Sequence, residues 1–342
     1  MVARTSLEFF AGAINIKNKN VLLVVPDYSS FKKPVLGALE RLGFKTFEFD
    51  YRETSGTEKF FFLLSKILPF FRIIAINNIN KRLTKRAIKV KATIIFVIKG
   101  ELINPRTIRG FNQDGMLTIN WYPDYFNNNS NIINQLKAYK FVFQSDVYET
   151  SKLSRKLHGR VHHLAFAGES SLPKKQHKKI YPITFIGSYS SDREKILSVL
   201  DNMPLFIWGD SKWARSSLKR HFQGKWLNQT EMFEILYKSK VIINIHQAKS
   251  KKTGGVNLRC FEVTGAQQFL LSDYRKDFSG IFDIEKELIV FNDKYDMVDK
   301  VKYYLNNEEK RQRIALAGYR RFKRDHTYDK RLTRLMKICF SK

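Results

Sequence analysis

Residues 256–273, VNLRCFEVTGAQQFLLSD, combine a helical pattern that ends near a glycine with an apolar strand. The pattern places Asn257, Arg259 and Glu262 on the first turns of the predicted helix. Because a helix N-terminus carries unpaired N–H groups and the positive end of the helix dipole, Asn257 and Arg259 are placed to face an anion. Glu262, one turn further on, is placed to accept hydrogen bonds from hydroxyl groups. The alternative is a solvated Arg259–Glu262 pair at i,i+3 on an ordinary amphipathic helix.

Short apolar strands alternate with helical patterns along the chain. In the first half, strands are predicted at residues 21–26, 46–50, 94–98, 117–121 and 141–143. The alternation begins again in the second half, with a predicted helix at 192–200 and strands at 183–188, 205–209, 241–245 and 268–272. Because such alternation is typical of buried parallel sheets, we expect an α/β protein with two similar Rossmann-like domains.

The length agrees with two domains, since 342 residues exceed what one hydrophobic core normally serves. Residues 168–176 contain Gly, Ser, Pro and Lys without periodicity, which indicates a hinge. We therefore predict an N-terminal domain over residues 1–168 and a C-terminal domain over 169–322. The helical segment 323–342 is expected to pack back toward the N-terminal domain.

The chain is strongly basic, with 61 Lys and Arg against 32 Asp and Glu and a formal charge of +29. Such a charge attracts polyanions or an anionic membrane surface, although it also fits a generally basic source proteome. The sequence contains no P-loop, Gly-x-Ser-x-Gly, Cys-x-x-Cys or His-Glu-x-x-His pattern, which argues against ATPases, hydrolases and metalloproteases. No helix-turn-helix, RNP-type strand or finger spacing accompanies the basic residues, so we expect no nucleic-acid partner.

Cysteine usage and the N-terminus predict a cytoplasmic protein. The two cysteines, Cys260 and Cys339, make neither a disulfide framework nor a metal motif, as is typical of a reducing compartment. Residues 1–20 have only short apolar runs, so we expect neither a signal peptide nor a spanning helix there.

Ligands of open parallel sheets bind beyond the carboxyl ends of the strands, which nominates the residues that follow each apolar run. In the first domain Asp27 and Asp124 are candidates to deprotonate an attacking hydroxyl. Asp is also a preferred turn and N-cap residue, so a structural role is the alternative for both. The same edge includes Tyr28, Lys99, Gly100, Pro123, Gln144 and Ser145.

In the second domain, Gly187 and Ser188 end a predicted strand and Arg193 follows in the next helix. A glycine there lets backbone N–H groups approach a phosphate closely, or it serves only the turn. His246 also follows a strand and is a candidate to bind a sugar or phosphate. The alternative for His246 is a structural hydrogen bond.

Residues 60–91 combine an aromatic run with a cationic continuation. Residues 60–75 are too interrupted by Lys66, Pro69 and Arg72 to span a bilayer, but aromatic residues beside basic ones are typical of a segment that lies on a membrane surface. The alternative is a buried helix packed on the first sheet. The predicted location is therefore the cytoplasm, with the inner face of the cell membrane as the contact surface.

Four segments together resemble a known family, the CgeB-like glycosyltransferases, whose C-terminal half is of the glycosyl transferases group 1, GT-B type. The segments are Phe185-Ile186-Gly187-Ser188 with Arg193, Asn244-Ile245-His246, Asn257–Glu262 with Gly265, and His326-Thr327-Tyr328 with Arg331. The first half is similar to the family's N-terminal domain more loosely.

The resemblance implies a GT-B enzyme with two Rossmann-like domains that face each other across a cleft. It implies that the second domain binds a nucleotide-sugar co-substrate, the first binds the acceptor, and neither a metal nor another cofactor takes part. The donor-binding residues would be Gly187, Ser188, Arg193, Asn257, Arg259, Glu262 and Gly265, and the catalytic candidates Asp124, Asp27 and His246.

One position departs from the family pattern. Glu262 matches the second glutamate of a paired-glutamate motif, which commonly binds the ribose of the donor, whereas Gly254 stands where the first glutamate is expected. The sequence therefore predicts nucleotide binding more firmly than the sugar or the stereochemical outcome. We expect transfer of a sugar to a glycan or lipid-linked acceptor in bacterial surface polysaccharide synthesis. The alternative is a non-catalytic nucleotide- or polyanion-binding protein on a degenerate transferase fold.

Overall fold

The computed structural model describes residues 19–27, 29–126, 129–170, 177–247 and 253–341. Most of the N-terminal segment 1–20, together with Tyr28 and residues 171–176 of the predicted hinge, lies outside the described residues. The chain divides into two compact units. One contains the described residues up to Ala165 and those from Arg331 onward, and the other is Phe166–Lys330.

The first unit is built on a six-stranded parallel sheet with the order β2-β1-β3-β4-β5-β6. The strands are β1 (Asn20–Val24), β2 (Lys45–Phe49), β3 (Ile94–Ile98), β4 (Leu117–Tyr122), β5 (Phe141–Gln144) and β6 (Val161–His163). All five residues of β3 are buried, because helices cover both faces of a parallel sheet.

The helices of this unit are α1 (Lys32–Arg41), α2 (Gly56–Leu64), α3 (Phe70–Lys89), α4 (Pro105–Gln113), α5 (Ser130–Leu136) and α6 (Val147–Lys156). In α3, Ala75, Ile79, Leu83 and Ala87 recur every four residues and are fully buried. This stripe packs the helix onto the core of the first unit, while Lys81, Lys85 and Lys89 are exposed.

The second unit has a five-stranded parallel sheet with the order β11-β10-β9-β7-β8. Its strands are β7 (Tyr181–Ile186), β8 (Leu205–Trp208), β9 (Ser239–Asn244), β10 (Leu270–Asp273) and β11 (Ile289–Phe291). The helices of this unit are α7 (Ser191–Leu197), α8 (Gln229–Tyr237), α9 (Leu258–Gly265), α10 (Lys294–Leu305) and α11 (Glu308–Asp325). The last helix, α12 (Tyr328–Phe340), belongs to the first unit from Arg331 onward.

Two parallel sheets with flanking helices confirm the predicted α/β class. The strand expected at 268–272 begins instead at Leu270, because the chain leaves α9 through Gln267 with a left-handed φ of 54°. None of the helices in the described ranges is long and apolar enough to cross a membrane.

Candidate functional site

The carboxyl edge of the second sheet gathers polar residues from neighbouring strands. Gly187 and Ser188 follow β7, His246 follows β9, and Asp273 ends β10. Since β9 lies between β7 and β10 in a parallel sheet, these residues meet at one edge. Helix α9 begins at this edge, because its N-cap residue Asn257 is hydrogen-bonded to His246.

Both ring nitrogens of the buried His246 contact protein groups. Nδ1 lies 2.6 Å from Oδ1 of Asp273, and Nε2 accepts the backbone N–H of Asn257 at 3.0 Å. Burial lowers the pKa of His246, so the ring is neutral at pH 7 and carries its proton on Nδ1, facing the carboxylate. The predicted ligand-binding or catalytic role of His246 therefore requires one of these two contacts to break.

Asp273 connects this histidine to a buried arginine. Its second carboxylate oxygen accepts a hydrogen bond from the Arg275 guanidinium at 2.6 Å. Burial works to raise the pKa of Asp273, but the hydrogen bond from His246 and the charge of Arg275 outweigh it, so the pKa is lowered. The carboxylate is therefore ionised and holds His246 and Arg275 on either side.

The Asn257 side chain contacts the sheet through Nδ2, while its Oδ1 accepts from the Cys260 thiol of its own helix at 3.6 Å. Its Nδ2 donates to Oδ1 of Asn244 at 3.0 Å, and Asn244 Nδ2 donates to Oγ of Ser272 at 3.0 Å. Within the described part of the chain, no side chain caps α9 at Asn257. The Asn257 side chain thus leaves the Leu258 and Arg259 amides uncapped, whereas the Cys260 amide donates to the Asn257 backbone carbonyl at 3.3 Å.

Arg259 and Glu262 form the i,i+3 pair that their spacing predicts as the alternative to ligand contacts. Arg259 Nη1 donates to Glu262 Oε2 at 2.6 Å and also contacts Met232 on α8. Both side chains are largely buried, at 19% and 15% exposed. The Nε atom of Arg259 is buried and has no hydrogen-bond partner among the described residues. A partly unsatisfied guanidinium thus lies on the first turn of α9.

Arg193 holds the Gly187–Ser188 turn against the end of β9. Its Nε and Nη2 donate to the Ile245 carbonyl at 3.0 and 2.7 Å, while Nη1 donates to the Ser188 carbonyl and hydroxyl at 2.9 and 3.0 Å. Burial lowers the pKa of Arg193 to about 10, so it stays charged at neutral pH. Arg193 therefore shapes the site through the turn. A Cβ on Gly187 would lie 3.0 Å from the Phe185 ring, so the turn leaves little room for a side chain.

Gly265 does not join the other candidates. It lies at the far end of α9, about 12 Å from Asn257 at 1.5 Å per helical residue. A Cβ there would lie 2.7 Å from the Glu169 carbonyl oxygen and 2.9 Å from the Phe322 ring, so Gly265 allows close packing. Gly254 has a φ of 92°, which disfavours the glutamate expected at this position by comparison with the family.

The catalytic candidates of the first unit each pair with a lysine. Asp27 follows β1 and is bonded to Lys32, which lowers the pKa of the Asp27 carboxyl group. Asp124 follows β4, and its Oδ2 lies 2.6 Å from Nζ of Lys99. Lys99 follows β3, which is the strand between β1 and β4, so both carboxylates lie at the carboxyl edge of the first sheet.

Sequence reasoning did not select Asn244, Ser272, Asp273 or Met232 as site residues. Asp273 had a usable signal, because it directly follows an apolar run and so lies at a strand end. Asn244 and Ser272 lie inside predicted strands, where the sequence does not reveal their hydrogen bonds. Among the described residues, no group of three or more His, Cys, Asp or Glu side chains is placed to hold a metal ion.

Residues 193–337 match a protein-family model described as glycosyl transferase-like. The matched segment includes Asn244, His246 and all of α9. No curated protein matches the chain.

Solved structures similar to the chain cover nearly its whole length at low sequence identity. Sucrose-phosphate synthase from Thermosynechococcus elongatus has a TM-score of 0.69 and 10% identity, over 94% of this chain and 98% of that one. Anabaena HepE in complex with UDP and glucose has a TM-score of 0.61 and 7% identity, over 95% and 100%. A putative UDP-N-acetylglucosamine 2-epimerase from Listeria monocytogenes has a TM-score of 0.53 and 10% identity, over 93% and 94%.

At such identities these similarities establish the fold alone, and the epimerase illustrates that one fold serves more than one reaction. The two parallel sheets and these neighbours confirm the Rossmann-like domains that the resemblance implied. The chain therefore has the two-domain GT-B architecture, and its residues 193–337 are similar to the glycosyl transferase-like family.

Proposed function

We propose that the protein is a glycosyltransferase that moves a sugar from a nucleotide-sugar donor to a glycan or lipid-linked acceptor. The observation that carries this proposal is the uncapped N-terminus of α9 with Arg259 on its first turn, inside the segment that matches the glycosyl transferase-like family. The UDP and glucose named for the HepE structure support a nucleotide-sugar donor in this fold. Bacterial surface polysaccharide, such as lipopolysaccharide, is the product class we propose, in line with the CgeB-like resemblance.

The donor diphosphate in this proposal binds at the start of α9. The first amides and the helix dipole favour an anion there, and the Arg259 guanidinium exchanges Glu262 for a phosphate oxygen. Glu262, released from this 2.6 Å contact, then accepts from a ribose hydroxyl. The backbone of Gly187 and Ser188, held by Arg193, borders the same anion. These groups stabilise the negative charge that develops on the leaving diphosphate, so the proposed transfer needs no metal ion.

The acceptor in this proposal binds to the first unit, where the carboxylates of Asp27 and Asp124 are available. For an inverting reaction, one of them accepts the proton of the attacking hydroxyl. The contact with Lys32 lowers the pKa of Asp27 and so favours the ionised form that a general base requires. For a retaining reaction neither carboxylate is needed as a base.

An anionic membrane surface is the proposed partner of residues 60–91. Six large apolar side chains in α2, α3 and their connection are each more than half exposed: Phe60, Leu63, Ile67, Leu68, Phe70 and Ile73. Exposed basic residues lie among and beyond them, at Lys59, Lys66, Arg72, Lys81, Lys85 and Lys89. Since apolar side chains beside cations suit the headgroup region of anionic lipid, we propose peripheral association with the inner face of the cell membrane.

A thermal-shift panel with UDP, GDP, CMP and dTDP tests the proposed function. A nucleotide that binds only the native state raises the melting temperature, by mass action. We expect a concentration-dependent rise with one nucleotide and a smaller rise for the Arg259→Ala variant. Hydrolysis or transfer from the matching nucleotide sugar then identifies the reaction. No shift with any of the four nucleotides would favour the alternative of a polyanion-binding protein without transferase activity.

A further inference from the structure

An asparagine at the N-cap of a helix normally accepts hydrogen bonds from the first free amides of that helix. Asn104 and Asn307, at the starts of α4 and α11, make no such bond within the described residues, whereas Asn129 and Asn228 do so at the starts of α5 and α8. Asn257 has the extended backbone of an N-cap, with φ −80° and ψ 168°, but its side chain makes no cap in the described structure. The start of α9 therefore lacks the side-chain cap that α5 and α8 have.

Buried side chains on β9 and β10 hold Asn257 in this orientation. Asn244 accepts the Asn257 amide at 3.0 Å, and Ser272 fixes Asn244 in turn by accepting from its Nδ2 at 3.0 Å. His246 binds the Asn257 backbone N–H at 3.0 Å. Asn244, His246 and Ser272 are each at most 4% exposed, so water does not compete for these hydrogen bonds. Residues of the sheet and its edge thus hold both the side chain and the backbone of Asn257.

A second buried group indicates that this edge suits an anion. Arg275 is 4% exposed, and its only hydrogen bond described here, from Nη2, goes to Asp273. Its Nε is buried and has no partner among the described residues. Asp273 is the same carboxylate that binds His246, so an arginine with unused donor capacity is linked to Asn257 through Asp273 and His246.

We propose that Asn244 and His246 are positioning residues that turn the natural cap of α9 away and keep its first amides open for the donor diphosphate. The inference rests on the proposed function. The physical reason is that the Asn257 side chain and a phosphate oxygen compete as acceptors for the same N–H groups of α9. The hydrogen bond to Asn244 holds the Asn257 side chain away from these groups. His246 acts through the Asn257 backbone, which explains why a strand-end histidine has no free nitrogen here.

The test replaces Asn244 with Leu, which has a similar size but accepts no hydrogen bond. In Asn244→Leu the Asn257 side chain is free to cap α9. Since a cap is worth about 1 kcal/mol and 1.4 kcal/mol is tenfold in affinity, we expect the Kd of the nucleotide found in the panel to rise about five- to tenfold. In the nucleotide-free variant, hydrogen exchange at residues 258 and 259 should become slower than in the wild type.

Thr184→Val is the matched control, because it removes a buried hydrogen bond to Ser239 in the same sheet without touching Asn257. Its Kd should stay within about twofold of wild type. Ser272→Ala is a milder change to the same network, for use if Asn244→Leu does not fold, and should weaken binding in the same direction. The inference would be overturned if the wild type binds the nucleotide and the folded Asn244→Leu and Ser272→Ala variants show the same Kd and the same hydrogen exchange. The proposed function would then still stand. Absence of wild-type binding would instead count against the proposed function.

Discussion

At the scale of single residues, Arg259 is the side chain on which the proposed donor site depends most. Arg259→Ala removes the guanidinium that would bind the diphosphate and stabilise the leaving group. Removal of one such donor typically costs a factor of about 100 to 1,000 in rate, so we expect kcat/KM to fall at least about 100-fold. The measurement is a steady-state assay with the nucleotide sugar identified by the panel.

Arg324→Ala is the control for this prediction, because Arg324 is 63% exposed and bonds only to its neighbour Asp325 among the contacts described. Glu262→Ala should likewise abolish turnover while the fold stays intact. Full activity in both the Arg259 and the Glu262 variants would refute the donor site proposed here.

Glu149 gives a prediction about stability rather than activity. Its carboxyl group is fully buried, and this burial raises its pKa to about 7. Between pH 4.5 and 7 the unfolded chain loses this proton while the folded protein keeps it. The free energy of unfolding therefore falls as the pH rises through this window and stays reduced above it.

Glu149→Gln removes this effect because the amide does not ionise. We expect the melting temperature of the variant to exceed that of the wild type by a few degrees at pH 8, with a smaller difference at pH 5. Glu234→Gln, at the 47% exposed Glu234, is the control. Equal gains at pH 5 and pH 8 would mean that ionisation of Glu149 is not the cause.

At the residue scale, the sequence predicted where the site residues lie better than it predicted which residues they contact. The residue types that follow apolar runs nominated His246, Asp124 and the start of α9, since a parallel sheet brings its strand ends to one edge. The contacts of His246 with Asp273, and of Arg193 with Ile245, join residues 27 and 52 positions apart. Local periodicity contains no information about such pairs, so the sequence left both a structural and a ligand-binding role open for His246.

At the scale of elements, α2 and α3 present the exposed apolar face proposed to contact the membrane. Arg82 on α3 binds Glu58 on α2 at 3.0 Å, and the rings of Phe61 and Phe71 stack with centroids 5.8 Å apart. These contacts hold the two helices together while Ile67, at 78% exposed, and Phe70 remain outside. The double variant Ile67→Asp with Phe70→Ser should therefore fold normally.

Full burial of one such side chain is worth about 1.5–3 kcal/mol, and 1.4 kcal/mol is tenfold in an equilibrium constant. We expect the double variant to lose at least about tenfold in co-sedimentation with phosphatidylglycerol vesicles. Tyr295→Ser, at a tyrosine that is 68% exposed in the second unit, is the control. Wild-type protein that fails to sediment with these vesicles, or a double variant that sediments equally well, would contradict the membrane proposal.

The sequence predicted the regular elements well wherever apolar runs and turns were sharp. It placed β3 at the residues where the structure has it, 94–98, because five consecutive apolar residues belong in the middle of a covered sheet. The helix predicted at 192–200 is shorter, since α7 ends at Leu197 and a 3-10 turn follows over Ser198–Leu200. Periodicity does not distinguish the two helix types over a single turn.

At the scale of the whole molecule, the repeated strand–helix pattern predicted two α/β domains, and the two parallel sheets agree with it. The proposed donor site does not depend on the formal charge of +29 of the whole chain. This charge leaves two functions to be separated: a specific nucleotide site with a few fixed contacts, and a general attraction for polyanions. Salt distinguishes them, because a polyanion releases many counterions when it binds and a nucleotide does not.

The last prediction is that binding of the panel nucleotide depends only weakly on salt. A site with a few phosphate contacts should lose less than about tenfold in affinity between 50 and 200 mM salt, whereas neutralising six to ten phosphates of a polyanion costs about 1,000- to 100,000-fold. Calorimetry with the nucleotide and with heparin over this range gives both slopes. Saturable nucleotide binding with a shallow slope, lost in Arg259→Ala, supports the donor site, since one guanidinium among 61 basic side chains hardly alters the total charge. If the affinities for the nucleotide and for heparin both fall steeply with salt, equally in wild type and Arg259→Ala, then the overall charge of the protein binds anions without a specific site.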